Sequence, residues 1–334
     1  MREAMHYKTS AVKSVQCFIC PRKCIINDKE YGFCRARKNI NGKLFSMVYG
    51  APCSVNADPI EKKPLFHFLP GTKTFSVGTA GCNLRCKYCQ NWEISQAMPE
   101  EVPIIDIYPE EIVEKALAEG CESIAYTYTE PSVFYEYVLD TAKIAKKKGL
   151  KNIIVTNGFV NEEPLWDLCK YIDAANVDLK SFDDDFYRKI AGGWLEPVLS
   201  SLKLLKKEKV WIEITNMIIP GYNDDMEMIK RMCRWIKKEL GEGVPMHFSR
   251  FFPNYLMKDV LPTEEKTLLK AAETAKKEGL DNVYIGNIEI EGWENTYCTK
   301  CRKVVVKRRF FQVVSNKLKD GKCRCGEKVQ GVWE

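Results

Sequence analysis

No stretch of the 334-residue chain approaches the roughly 20 consecutive apolar residues that a membrane-spanning helix needs. The N-terminus, "MREAMHYKTSAVKSV", lacks the apolar core of a secretory signal peptide. These two absences argue against a membrane or exported protein and place the expected chain in the cytoplasm. Charge of one sign is also missing: 51 Lys and Arg stand against 45 Asp and Glu, a net charge of +6. So mild an excess permits an RNA or acidic partner without requiring one. The apolar and charged fractions are those of an ordinary soluble globular protein, and the length suffices for one large core with small appendages.

Cysteine, by contrast, is plentiful, with 15 in the chain. A reducing cytosol disfavours disulfides, and clustered cytosolic cysteines more often bind metal. They form three groups: Cys17, Cys20, Cys24 and Cys34; then Cys82, Cys86 and Cys89; then Cys298, Cys301, Cys323 and Cys325. Of the other four, Cys233 lies on the apolar face set by Ile229, Met232, Ile236 and Leu240 at helical spacing and reads as core. Cys121 and Cys169 read the same way, and Cys53 is left unassigned.

From about residue 72 to 290 short β-rich runs alternate with helical patterns. The runs are 73–80, 123–128, 152–156, 174–180, 210–219, 245–252 and 282–287. Between them lie helices such as "PEEIVEKALAEG", with Pro109 near its start, acids in its first turn and Gly120 at its end. Alternating strands and helices imply a parallel sheet with right-handed crossovers. Six to seven βα units suit an open, partial TIM-type barrel; a doubly wound sheet is the competing architecture. The expected organisation is a cysteine-rich module over 1–60, the barrel over 61–290 and a zinc-ribbon-like module over 291–334.

In such folds sites form at the C-terminal ends of the strands. Each predicted strand is followed, or ended, by polar residues: the cysteine loop, Thr129 and Glu130, Asn157 with Gly158, Asp178 with Lys180, Asn216 before "PGYND", and His247 with Arg250. The loop "GTAGCNLRCKYCQNWEIS" carries a C-x3-C-x2-C array. Four thiolates would close a tetrahedral zinc site or ligate every iron of a cubane cluster. Three leave one iron of a [4Fe–4S] cluster open to a ligand from outside the protein.

This array, with Tyr88 before its last cysteine and a barrel strand before its first, resembles that of the radical S-adenosylmethionine (SAM) superfamily. "YTYTEPSVFYEY", "VTNGFV", "DLKSFDDDFYRKIAGG" and "IIPGYND" narrow the likeness to the group related to pyruvate formate-lyase activating enzymes. Within it the chain resembles the radical SAM member of the AmmeMemoRadiSam system over nearly its whole length. The resemblance implies a [4Fe–4S] cluster on Cys82, Cys86 and Cys89, with SAM on its open iron. It also implies an external electron donor and a 5′-deoxyadenosyl radical that takes hydrogen from a substrate. By position, Tyr88 would pack beside the cluster, and Thr129 and Glu130 would bind the SAM amino group. Asp178 and Lys180 would lie near the ribose and carboxylate, and His247 near SAM; Asn157 and Asn216 complete the set. One departure is visible: "YTE" stands where the group's usual pattern is "GGE".

The outer groups are less specified. Cys17, Cys20, Cys24 and Cys34 follow C-x2-C-x3-C-x9-C, which suits structural zinc or a second cluster and does not match the ferredoxin run. Cys298, Cys301, Cys323 and Cys325 bracket a basic hairpin-like stretch and are expected to bind zinc, although only Arg324 separates the last two. Arg308, Arg309, Phe310 and Phe311 place bases beside aromatics, one means of gripping single-stranded RNA. The substrate is therefore open among a small molecule, a glycyl-radical enzyme or other protein, and RNA. A non-catalytic iron–sulfur protein is the reading from another class. Memo-like and AMMECR1-like proteins are the partners the resemblance suggests.

Overall fold

The computed structural model describes residues 1–10 and 13–334. All seven predicted barrel strands are present. With one further strand they make a single eight-stranded sheet: β1 (Ser54–Pro59), β2 (Lys73–Gly78), β3 (Ser123–Tyr126), β4 (Lys151–Thr156), β5 (Ala174–Asp178), β6 (Trp211–Ile218), β7 (Met246–Arg250) and β8 (Val283–Gly286). They lie side by side in chain order, and β2 to β8 pair in parallel. A doubly wound sheet would reverse its order at a switch point. The unbroken order, with β1 and β8 as free edges, instead gives an open, TIM-barrel-like sheet.

The eighth strand was not expected. "SVNADP" is poor in β-formers, and the sequence reading grouped it with the N-terminal module. It pairs antiparallel with β2 at the sheet edge, where a proline and polar residues are tolerated.

The helices follow from their caps and stripes. In Met226–Leu240 the Asp225 carboxylate accepts from the Glu227 and Met228 amides, 3.1 Å each. Met228, Ile229, Met232, Cys233, Ile236 and Leu240 are buried on one face, so Cys233 is core as expected. No helix among the described residues is long and apolar enough to cross a membrane.

The connection between β1 and β2, residues 60–72, closes the N-terminal end of the barrel. The Phe66 and His67 amides donate to the Glu213 carboxylate on β6 at 3.0 and 2.7 Å. His67 Nδ1 donates to the Gln330 carbonyl at 2.7 Å, which leaves Nε2 to accept from the Tyr284 hydroxyl on β8 at 2.5 Å. The C-terminal three-stranded sheet (Thr296–Tyr297, Val304–Arg309 and Gln312–Asn316) docks here through Arg308. Its guanidinium donates to the Phe66 carbonyl at 2.5 Å and to Thr296 at 2.9 Å, and it pairs with Glu61 at 3.5 Å. Arg308 is therefore fully buried and unavailable to grip RNA, whereas Arg309, Phe310 and Phe311 remain exposed at the hairpin turn.

The N-terminal residues form two small antiparallel sheets. One comprises Arg2–Glu3, Lys43–Ser46 and Arg37–Ile40; the other comprises Tyr7–Thr9, Val15–Cys17 and Ile25–Ile26. They are tied to the barrel by a buried fork, Arg37 Nη2 to both oxygens of Glu136 at 2.7 Å, on the helix Tyr135–Lys147.

Candidate active site

Gly78 ends β2, and the cysteine loop begins four residues later. The glycines around it are there for space. A Cβ on Gly78 would lie 2.8 Å from the Thr127 carbonyl oxygen, and one on Gly81 would lie 2.4 Å from that of Cys34. Gly81 also adopts a positive φ of 89°, which glycine accepts freely. Beyond the loop, the π-helical turn Tyr187–Ala191 supports it from below: the Arg85 and Lys87 amides donate to the Ala191 and Ile190 carbonyls at 2.9 and 3.0 Å. Such turns often mark functional sites. Gly192, at φ 75°, lets the backbone pass within contact of Arg85.

The rim brings most of the predicted residues to this loop. Asn157 Nδ2 donates to Asn83 Oδ1 at 2.9 Å and lies 3.8 Å from the Cys82 sulfur; the Leu84 amide lies 3.4 Å from that sulfur. Cys89 Sγ is 3.2 Å from Ser95 Oγ. Thr129 donates from its hydroxyl to the Thr79 carbonyl at 2.9 Å. Lys180 pairs with Asp178 at 3.0 Å and sits 6.0 Å above the Tyr88 ring. Asn216 donates to the Leu179 carbonyl at 2.7 Å, while its own carbonyl oxygen is buried without a partner, as is the Tyr88 hydroxyl.

Glu130 is placed beside Cys82 but is already fully engaged. Its carboxylate accepts from the Asn157 amide at 2.8 Å, the Ser132 amide at 3.1 Å and the Thr156 hydroxyl at 2.9 Å. It orders the turn after β4 that carries Asn157. Burial raises its pKa against these donors.

The electrostatics oppose free thiolates. Burial, then Glu130, pushes the Cys82 thiol up; burial pushes Cys86 up to about 11 even with Lys180 working against it. Without a metal these sulfurs are protonated at neutral pH, so loading the site releases protons. Burial disfavours the Lys180 ammonium, but Asp178, Tyr88 and Cys86 outweigh it and raise its pKa well above the usual value.

His247 does not join them. It is the second residue of β7, and its ring packs against Phe66 at 4.8 Å and Tyr284 at 5.1 Å. Its Nε2 donates to Glu213 Oε2 at 2.7 Å. The expectation that His247 faces SAM is corrected accordingly: its side chain is taken up by Glu213 and by Phe66 of the 60–72 plug, and no contact joins it to the cysteine loop. Position within a strand, which residue type alone does not reveal, made the difference.

The departure at "YTE" also finds a structural account. Tyr128 adopts φ 67°, the left-handed region that a glycine would take without strain. The conformation is held from both sides: its hydroxyl donates to Asp58 at 2.7 Å, and its carbonyl accepts from Asn91 at 2.7 Å. Sequence reasoning missed several supporting residues, among them Asn83, Thr156, Tyr187 and Asn223. Asn223, within "PGYND", donates to the Lys180 carbonyl at 2.7 Å and so fixes that segment. Asn83 could have been suspected from its place inside the cysteine loop.

Among the described residues, the C-terminal group alone brings three or more metal-ligating side-chain atoms all within 4.8 Å of one another: Cys298, Cys301, Cys323 and Cys325. The sulfurs of Cys298 and Cys325 are 3.6 Å apart, and those of Cys301 and Cys323 are 3.7 Å apart. The single-residue gap at Arg324 does not prevent the four-cysteine arrangement.

Residues 76–235, from β2 through most of the helix Met226–Leu240, match the model of the radical SAM superfamily. A protein of Methanocaldococcus jannaschii without assigned function is 47% identical over 335 residues, covering 99% of this chain and all of that one. The chain belongs to the radical SAM superfamily. It is an enzyme of the radical SAM type, related to glycyl-radical activating enzymes. The pyruvate formate-lyase 1-activating enzyme of Escherichia coli K12 is 27% identical over 220 residues, covering 64% of this chain and 83% of that one. The pyruvate formate-lyase-activating enzyme of Clostridium pasteurianum is 26% identical over 229 residues, covering 62% and 92%. In fold, the chain resembles a radical SAM methyltransferase from Sphaerobacter thermophilus, with a TM-score of 0.52, 13% identity, and 66% and 68% of the two chains covered.

Radical SAM membership implies a [4Fe–4S] cluster and SAM. The residues present fit both. Three sulfurs share one loop, and two buried polar atoms, the Tyr88 hydroxyl within it and Asn216 Oδ1 against the Leu179 segment, have no protein partner. Groups of that kind are costly to bury unpaired and point to a polar occupant.

Proposed function

We propose that the chain holds a [4Fe–4S] cluster through Cys82, Cys86 and Cys89 and binds SAM across the rim formed by β3 to β6. Bound together and reduced by an external one-electron donor, cluster and SAM would supply radical chemistry: the S–C5′ bond of SAM breaks to give methionine and a 5′-deoxyadenosyl radical able to take a hydrogen atom from a substrate. The observation that carries this reading is the convergence of the three-cysteine loop with Thr129, Glu130, Asn157, Asp178, Lys180 and Asn216 at one end of the sheet. Asn157 and the Leu84 amide are donors placed to temper the charge on the Cys82 sulfur. Asp178 and Lys180 offer a carboxylate and an ammonium to the ribose and carboxylate of SAM, and Glu130 keeps the Asn157 turn in place. Tyr88 packs over the cluster loop. The test is anaerobic reconstitution, reduction with dithionite and chromatography for 5′-deoxyadenosine. Its appearance supports the reading, and its absence from cluster-loaded protein contradicts it.

The relatives named as activating enzymes favour a protein substrate, the glycyl-radical partner of such an enzyme, over a small molecule. RNA has lost Arg308 as support. The C-terminal ribbon is assigned zinc. A tetrahedron with Zn–S bonds of about 2.3 Å has edges of about 3.8 Å, close to the 3.6 and 3.7 Å separations of its sulfurs. Memo-like or AMMECR1-like proteins remain proposed partners, tested by co-purification.

A further inference from the structure

The N-terminal cysteines contrast with the ribbon. Cys17, Cys20, Cys24 and Cys34 line one cavity, closed on other sides by Ile26 and Val133. Yet no three of their sulfurs come within 4.8 Å of one another, unlike the four of the ribbon. Two sulfurs bound to one zinc at about 2.3 Å cannot be more than about 4.6 Å apart. The N-terminal set therefore surrounds a space that a single tetrahedral ion does not span. A polynuclear cluster fits this arrangement, because each sulfur then binds a different iron and the inorganic core fills the space between them.

The position of this space is as informative as its lining. Asn83, the residue after Cys82, also lines it. Arg22, between Cys20 and Cys24 in sequence, donates from Nε to the Asn83 carbonyl at 2.7 Å and lies over the Phe33 ring at 3.5 Å. Gly81 is pressed against the Cys34 carbonyl. The two cysteine groups thus share a wall made of the loop backbone itself.

We propose that Cys17, Cys20, Cys24 and Cys34 hold a second, fully cysteine-ligated [4Fe–4S] cluster packed against the SAM-cluster loop. Of the two readings open for this group, structural zinc and a second cluster, the proposal takes the second. Having no open iron, this cluster cannot chelate SAM, so SAM leaves its spectrum unchanged.

The test uses the full chain, reconstituted anaerobically. The triple variant Cys82→Ala, Cys86→Ala, Cys89→Ala should retain about four iron and four sulfide per chain. On reduction it should show an electron paramagnetic resonance signal that SAM does not alter. The converse variant, Cys20→Ala with Cys24→Ala, should lose about half the iron of the wild type and keep a SAM-sensitive signal. A triple variant with no bound iron, or with a second equivalent of zinc in its place, overturns the proposal, as does unchanged iron in the converse variant. Should the triple variant fail to fold, the converse variant decides. A wild type that fails to cleave SAM would count against the proposed function and leave the iron count as a separate result.

Discussion

The two ends of the barrel are built from the same strands and have opposite characters. At the C-terminal end, β2 to β6 deliver cysteines, carboxylates and amides to one mouth, with two buried polar atoms left without partners and a tyrosine held in the left-handed region. At the N-terminal end, Glu213, His247, His67, Tyr284 and Arg308 are joined to one another, to the 60–72 connection and to the ribbon. Three atoms there lack hydrogen bonds: Arg308 Nε and Glu61 Oε2, whose side chains form an ion pair, and Ser123 Oγ at the start of β3. A polar network satisfied by the protein itself rigidifies a fold. A histidine and a glutamate in contact therefore do not by themselves mark the site.

The largest expected effect lies at the rim. Changing Cys82, Cys86 or Cys89 to Ala should lower SAM cleavage below detection, with circular dichroism and melting of the protein near wild type. Loss of folding in all three variants would erase the contrast between a functional rim and a structural base.

The next effect is at the base. Stripping the zinc proposed for the ribbon, by chelation or by Cys298→Ala with Cys323→Ala, should remove binding free energy of about 10 kcal/mol or more from that module. Because Arg308 ties it to Phe66 and Glu61, global stability should fall by several kcal/mol in denaturant titrations, while folded protein still carries the SAM-sensitive cluster.

Acid should act on the same end. Burial lowers the His67 pKa from 6.5 to about 4. Below pH 6.5 the unfolded chain binds a proton that the folded chain refuses, so stability is full above 6.5 and declines as pH falls toward 4. The loss should reach up to about 3 kcal/mol. His67→Gln should flatten this dependence; an unchanged slope would remove His67 from the account.

A smaller effect is expected from Glu130→Gln. It keeps the shape but puts an amide group among donors, and SAM affinity by isothermal titration should fall about tenfold, or about 1.4 kcal/mol. Unchanged affinity would show that the Asn157 turn, and SAM binding with it, does not depend on the Glu130 carboxylate.

Much of this was legible in the sequence. The period of strands and helices exposed the seven parallel strands, and the cysteine spacing exposed the loop, because both are local patterns. Residues just past a strand, such as Thr129 and Asn157, followed from the rule that sites lie at strand ends. β1 was illegible because an edge strand needs no β-forming composition. His247 was misplaced because its neighbours, Phe66 and Glu213, are distant in sequence and only the folded plug brings them together. The difference between the outer cysteine groups was hidden for the same reason: spacing counts ligands, but the distance between sulfurs depends on how the loops fold.

The most direct measurement is 5′-deoxyadenosine formation by two reconstituted variants assayed side by side, Cys86→Ala at the rim and His247→Gln at the base. The account predicts no product from the first and, per loaded cluster, a rate within about twofold of wild type from the second, since a rate difference that small is under about 0.5 kcal/mol. Product from Cys86→Ala, or loss of SAM cleavage in a folded, cluster-loaded His247→Gln, would contradict it.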